Sequence, residues 1–375
     1  MTGPTAGCLA GVRVLDLSAL LPGPFCTQLL GELGATVIKI EPPGGDAARR
    51  LPGALHEAAN RNKRSVVLDL KTEHGRAMGR VLAAGADVLV EGFRPGVADR
   101  LGMSYAAVRA VNPGIVYCSV SGFGQTGPLR DAPGHDVTYL AASGVLSLPG
   151  GWADRAPRRP GVPMSDLAAS TYAAVAILAA LYQRRETGDG AHLDLAIADA
   201  ALSFASVRAD RCLDGTGADE QHHPSNDVFE AADGVRIAIG AVEDHFWARL
   251  AALLAAEEPG LADPRFGSAA GRRAHGDHLV ELLRRAIRAR PAVEWLAAFA
   301  AADVPAHQVL TVPEAARSPQ VRARGVVAES AAGRHVVFPV LRDGAVMGRM
   351  HGPAPALGAH TEQVLTELAA GREPW

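Results

Sequence analysis

The chain is poor in cysteine pairs and in net charge. Its four cysteines, Cys8, Cys26, Cys118 and Cys212, lie far apart in 375 residues, with no C-x-x-C and no histidine pairing at zinc spacing. That excludes a disulfide framework and indicates no metal site. Such thiols suit a reducing cytoplasm. Lys and Arg number 37 against 40 Asp and Glu, a formal net charge of -3. There is thus no global pull toward nucleic acid or an anionic membrane, and any anionic ligand must be held locally. The first ten residues lack the basic region and long apolar core of a signal peptide, and no apolar run reads as long enough to span a bilayer. Internal repeats and low-complexity tracts are absent too, although 41 Gly and 25 Pro imply many tight turns.

What is present is ordinary globular composition, 48% hydrophobic and 21% charged, in a chain long enough for two lobes. Apolar strands at 12–17, 36–40, 65–70, 88–91 and 115–119 alternate with helical runs at 25–33, 72–84 and 105–111. Such alternation predicts an α/β fold with a mostly parallel, Rossmann-like sheet covered on both faces. Ligands of these sheets sit beyond the carboxyl ends of the strands. A helix apolar nearly all round is expected at 167–185 and should be buried. The polar, Gly-rich stretch near 210–225 reads as a linker. Beyond it the pattern predicts a hairpin turning at Asp233-Gly234, helices at 275–289 and 292–301, a strand near Gln308, and a last helix at 362–369.

Two stretches draw attention. Gly122-Phe123-Gly124-Gln125-Thr126-Gly127 matches the dinucleotide fingerprint, but it follows a late strand and runs into Pro128, so it reads as a turn. Between residues 134 and 166, Gly134-His135-Asp136 and Met164-Ser165-Asp166 each place ionisable groups at a helix N-terminus, where amide groups favour negative charge. Asp136 and Asp166 are each expected to cap the helix that follows.

Taken in order, Pro22-Gly23-Pro24, Asn62-Lys63-Arg64-Ser65, Glu91-Gly92-Phe93-Arg94-Pro95-Gly96 and the 121–128 turn resemble the family III CoA-transferase (CaiB/BaiF) superfamily, and within it the α-methylacyl-CoA racemases. The resemblance implies an interlocked homodimer, with the active site between the large domain of one chain and the small domain of the other. It implies a large CoA-binding domain at 1–209, a small α+β domain at 226–325 and a return to the large domain at 326–375. The ligand is acyl-CoA, with CoA part of the substrate and no separate cofactor or metal. Arg61, Gly92, Phe93, Arg94, Arg100, Asp136 and Tyr139 are the expected substrate contacts; arginines suit the phosphates of CoA.

Two branches of the superfamily use the aspartate differently. In racemases the residue matching Asp166 removes or returns the proton beside the thioester carbonyl, opposite a histidine matching His135, with a carboxylate matching Glu243 as its partner. In transferases the same aspartate attacks the acyl-CoA as a nucleophile. His135 and Tyr139 resemble the racemase motif, which makes a racemase of 2-methyl-branched acyl-CoA the leading expectation. Val162 and Asn226 depart from the racemase pattern, and the 160–167 segment and the turn at His223-Pro224-Ser225 look more like the transferase branch, so CoA transfer is the alternative. A silent acyl-CoA binder comes third.

Overall fold

A computed structural model describes residues 7–148, 152, 158–207, 222–330 and 333–375. The chain forms two compact units. The first comprises Met1–Ser143, Pro160–Phe204 and Ala316–Trp375. It runs β1 (Arg13–Leu17), α1 (Pro22–Glu32), β2 (Thr36–Glu41), α2 (Leu55–Ala59), β3 (Lys63–Val67), α3 (Glu73–Ala84), β4 (Val88–Glu91), α4 (Val97–Arg100), α5 (Tyr105–Arg109), β5 (Val116–Ser121), α6 (Asp136–Ala142), α7 (Met164–Thr187), β6 (Ala191–Ala196) and α8 (Ile197–Ser206). The strands form one sheet in the order β3-β2-β1-β4-β5-β6, every neighbour parallel. The expected α/β fold is therefore what forms.

Alternation along the strands divides the core between the two faces. Val14, Val37, Val88 and Val116 join the cluster under α1 and α7, while their neighbours Leu15, Ile38, Leu89 and Tyr117 join the cluster on the opposite face. Both faces are apolar, as a sheet covered on both sides requires. The chain winds outward from β1 to β3, then returns to β4 on the other flank. The two directions part between β1 and β4, so the switch point where ligands of such sheets bind lies beyond Leu17 and Glu91.

Helix α7 corrects two expectations. It is 24 residues long with a mean hydropathy of 1.5, enough by length and composition to cross a bilayer, although no apolar run was expected to reach that length. Nor is it buried all round. Ala169, Ala173 and Ile177 lie in the core, while Val175 is 58% and Tyr182 69% exposed. Its buried side packs against α1, β5 and β6.

The second unit comprises Gly144–Arg159 and Ala205–Ala315. Here β7 (Asn226–Glu230), β8 (Arg236–Gly240), α9 (Asp244–Leu254), α10 (Ala269–Ala274), α11 (Gly276–Ile287), α12 (Ala292–Ala301), β9 (Ala306–Gln308) and α13 (Val312–Ala315) follow in order. The three strands pair antiparallel, and Trp247, Leu250, Leu283, Trp295 and Phe299 fill the core. Residues 144–159, placed in the large domain by the sequence reading, fall in this unit. Trp152 is the reason: its amide donates to Asp227 at 2.9 Å and its indole N–H to Asp277 at 2.8 Å. Most of the expected 210–225 linker, with Cys212, lies outside the described residues.

The chain then rejoins the first unit through α14 (Pro319–Arg324), β10 (Val327–Ser330), β11 (Gly333–Val336), β12 (Leu341–Arg342), β13 (Ala345–Val346) and α15 (Thr361–Ala369). The return begins at Ala316, ten residues before the expected 326. It covers an open sheet edge. On β3, Ser65 N–H donates to His360 Nδ1 and Val67 N–H to Thr361 Oγ1, which occupies groups that could otherwise pair with another chain.

Candidate active site

Two loops border the switch point between β1 and β4. Beyond β1, Ser18 to Pro24 leads into α1, with Pro22 as the first helical residue and Leu20 at φ 66. Beyond β4 comes Gly92, whose missing side chain would lie 3.4 Å from Ser18 Cβ and 3.8 Å from the Ala19 nitrogen. Phe93 N–H donates to Glu91 Oε2 at 2.8 Å, which turns the chain sharply after the strand. Burial raises the Glu91 carboxyl above its ordinary value. Arg94 and Arg100 follow, both exposed. A cavity of about 280 Å3 opens beside them at the end of β4, over the body of β5 and the start of β6, lined by Glu91, Arg94, Tyr105, Ser119, Gln125 and His192.

The two helix starts singled out in the sequence come together, though not as expected. His135, not Asp136, is the N-cap of α6, and Pro163, not Asp166, is the N-cap of α7. Asp136 reaches across instead. Its Oδ1 accepts from the Ser165 amide at 2.9 Å and the Ser165 hydroxyl at 2.8 Å, so the carboxylate caps α7 from a neighbouring helix. Asp136 is 4% exposed. This contact joins the two N-termini and brings the chain on either side of it, His135 and Asp166, to the same end of the helix pair.

Asp166 occupies the third position of α7, half-buried, within the turn whose amides favour negative charge. Tyr139, buried on α6, feels it directly. Burial raises the Tyr139 hydroxyl above its ordinary value, the Asp166 charge raises it further, and Arg94 acts in the opposite direction. The phenol fits because Gly122 and Gly134 leave room; a Cβ on either would come within 2.7 and 2.3 Å of the ring. Asp166, Tyr139 and Arg94 thus form an electrostatically linked group, with His135 exposed at the rim.

Other expected residues fall elsewhere. Arg61 is 5% exposed and spends its guanidinium on Glu32 at 2.7 Å, on Ala58 O and on Val336 O. A phosphate would have to displace that pairing. Glu243 belongs to the second unit, where it is the exposed N-cap of α9 and its charge acts on His223. The 122–127 fingerprint lies in bends after β5, and both oxygens of Asp194 accept from the Gln125 amide at 3.1 Å. A carboxylate there repels phosphate, in keeping with the reading as a turn.

One buried feature escaped the sequence reading: charge beneath the Ser18 to Pro24 loop. Asp16 and Lys39 stand opposite each other in β1 and β2, and Lys63 starts β3. The signal was available, since Leu-Asp-Leu and Ile-Lys-Ile put opposite charges inside central strands that must bury them.

Comparison with known proteins agrees with this architecture. The model of CoA-transferase family III matches residues 9–361. Acetyl-CoA:oxalate CoA-transferase of Acetobacter aceti is 40% identical over 339 residues, covering 86% of each chain. Succinyl-CoA–D-citramalate CoA-transferase of Chloroflexus aurantiacus is 35% identical, covering 96% of this chain and 94% of its own. Among solved structures, a CaiB/BaiF family protein from Brucella suis superposes with a TM-score of 0.86 at 32% identity, covering 97% of this chain and all of that one. Matched along nearly its whole length in sequence and in fold, the chain belongs to CoA-transferase family III and is an enzyme of that family.

Proposed function

We propose that this enzyme moves CoA between an acyl-CoA and a free carboxylic acid, with Asp166 as the nucleophile. The observation that carries this reading is the half-buried carboxylate in the first turn of α7, beside Tyr139 and Arg94, in a chain whose named relatives are CoA-transferases. The racemase expectation gives way to its alternative on that balance. Those relatives are named for acetyl-CoA with oxalate and for succinyl-CoA with citramalate. The two free acids are dicarboxylic, which makes a dicarboxylate the first acceptor to test.

The chemistry needs no separate cofactor. The Asp166 carboxylate attacks the thioester carbonyl of the donor, the C–S bond breaks, and CoA leaves as thiolate while an acyl-aspartyl anhydride forms. The thiolate attacks the aspartyl carbonyl, releasing the donor acid as carboxylate and leaving CoA as a thioester of Asp166. An acceptor carboxylate reverses both steps. One thioester forms for each one broken, and no proton is gained or lost. Amides of the first turn of α7 stabilise both the resting carboxylate and the oxyanions that develop on its carbonyl. Arg94 and Arg100 attract the phosphates of CoA. The second unit of a partner chain completes the site in a homodimer, and the reducing cytoplasm suits the free thiols Cys8, Cys26 and Cys118.

One observation keeps the racemase as a second reading. The link between Asp136 and Ser165 starts His135 and Asp166 from adjoining helix ends, which is where two bases on opposite faces of one carbon would begin. Incubating an acyl-CoA with free dicarboxylic acids separates the two. A transferase yields the acceptor's CoA ester. No transfer to any acid, with solvent deuterium entering the α position of a 2-methylacyl-CoA, would establish the racemase.

A further inference from the structure

The loop from Ser18 to Pro24 is held from beneath at every second residue. Lys39 Nζ donates to Ser18 O at 2.6 Å. Leu20 N–H donates to Asp46 Oδ1 at 3.0 Å. Pro22 O accepts from Ser170 Oγ at 2.8 Å, and Pro24 O accepts from Lys63 Nζ at 2.8 Å. Three of these anchors are ionised, and they form one network: Asp16 receives Lys63 at 2.9 Å and lies 3.9 Å from Lys39, which also meets Asp46 at 3.0 Å. All four of these side chains are at most 1% exposed, two acids against two bases. Four buried ions are poor value as mere stability, since apolar packing of equal volume often serves better. What they do provide is direction. Leu20 sits at φ 66, a left-handed conformation that a leucine rarely adopts, and persists because its amide is bound.

The fourth anchor leads to the chemistry. Ser170 lies one turn after Asp166, and its hydroxyl is 2.8 Å from both Pro22 O and Asp166 O, two carbonyls that share its single proton. The loop is thereby tied on one side to the first turn of α7, and on its other side it abuts Gly92. We propose that Lys39, Asp46 and Lys63 are positioning residues: they set the Ser18 to Pro24 loop, and through Ser170 they set Asp166 against the acyl-CoA. The proposal rests on Asp166 as the reacting carboxylate. All three side chains are at most 1% exposed and act through the loop. A carboxylate displaced by about 1 Å loses on the order of a hundredfold in rate.

The test uses the full chain and its own activity, whether CoA transfer or α-proton exchange. Asp46→Ala and Ser170→Ala are expected to lower kcat by roughly tenfold to a hundredfold while the KM for acyl-CoA stays within about twofold. Two variants outside the loop serve as comparisons, and they are not equivalent. Glu41→Gln is only a partial control, because Glu41 also accepts from the Asp46 amide at 3.0 Å. Asp87→Asn serves as the independent one: Asp87 pairs with Arg13 and Arg184 and touches neither the loop nor Lys39, Asp46, Lys63 or Ser170, so it should lose stability but keep kcat. If Asp46→Ala does not fold, Ser170→Ala decides alone, because Ala is the best residue for a helix interior. Wild-type kcat in both variants, alongside an inactive Asp166→Asn, overturns the positioning proposal. So does a fall in kcat equal to that of Asp87→Asn at equal loss of melting temperature. An Asp166→Asn variant with full activity would instead overturn the nucleophile.

Discussion

At the scale of single residues, the site depends on which carboxylates stay ionised and where. Asp166→Asn keeps the shape of the first turn of α7 and removes the nucleophile. We expect transfer to fall by about a thousandfold or more, measured as product acyl-CoA by chromatography. His135→Ala is expected to leave transfer within a few fold, because no step of CoA exchange needs a second base. Loss of all activity in that variant would favour proton abstraction. Glu41 gives a pH signature of its own. Burial pushes its carboxyl up, but bonds from Arg49, Ser65 and the Asp46 amide prevail and bring it to about 2 from 4.5. A folded value below the unfolded one means that the unfolded chain binds more protons between the two, so the stabilisation is full above pH 4.5 and lost as pH falls toward 2. The urea midpoint of wild type should drop over that window, and Glu41→Gln should flatten the drop.

At the scale of elements, most of the architecture was legible and most of the errors were tertiary. Residues 88–91 and 292–301 were read with their observed bounds, because each is an apolar segment between strong stops. The strand expected at 65–70 sits at Lys63–Val67 instead, since its extent follows pairing with β2 and not its own apolar run. The caps were misassigned for the same kind of reason: Asp136 serves a helix 29 residues away, a partnership that no local pattern contains. Arg61 reads as a substrate contact and Lys63 as one residue of a motif, yet both are buried by partners on other elements. The small residues around Tyr139 carry an expectation of their own. In Gly134→Ala the new methyl would come within 2.3 Å of the Tyr139 ring, at a cost of about 1–3 kcal/mol in unfolding free energy. Because Tyr139 lies in the field of Asp166, transfer should slow as well. A variant with unchanged melting and unchanged rate would remove Tyr139 from the site.

At the scale of the whole molecule, the exposed side of α7 is the feature left unexplained by a single chain. Val175 and Tyr182, together with Leu202 and Phe204 of α8, form apolar surface that a second copy would cover. We therefore expect light scattering to give twice the 38.9 kDa chain mass. A monomer that turns over at full rate would contradict the homodimer. Neither pattern nor composition could have supplied that pairing, which entered only through resemblance. The covalent step can be observed more directly than any of these. Acyl-CoA is mixed with the enzyme in the absence of acceptor, quenched with hydroxylamine and digested for mass spectrometry. A hydroxamate on Asp166, dependent on acyl-CoA and absent from Asp166→Asn, is the expected result. An unmodified Asp166 under conditions where CoA is still being transferred would show that the carboxylate is not the nucleophile.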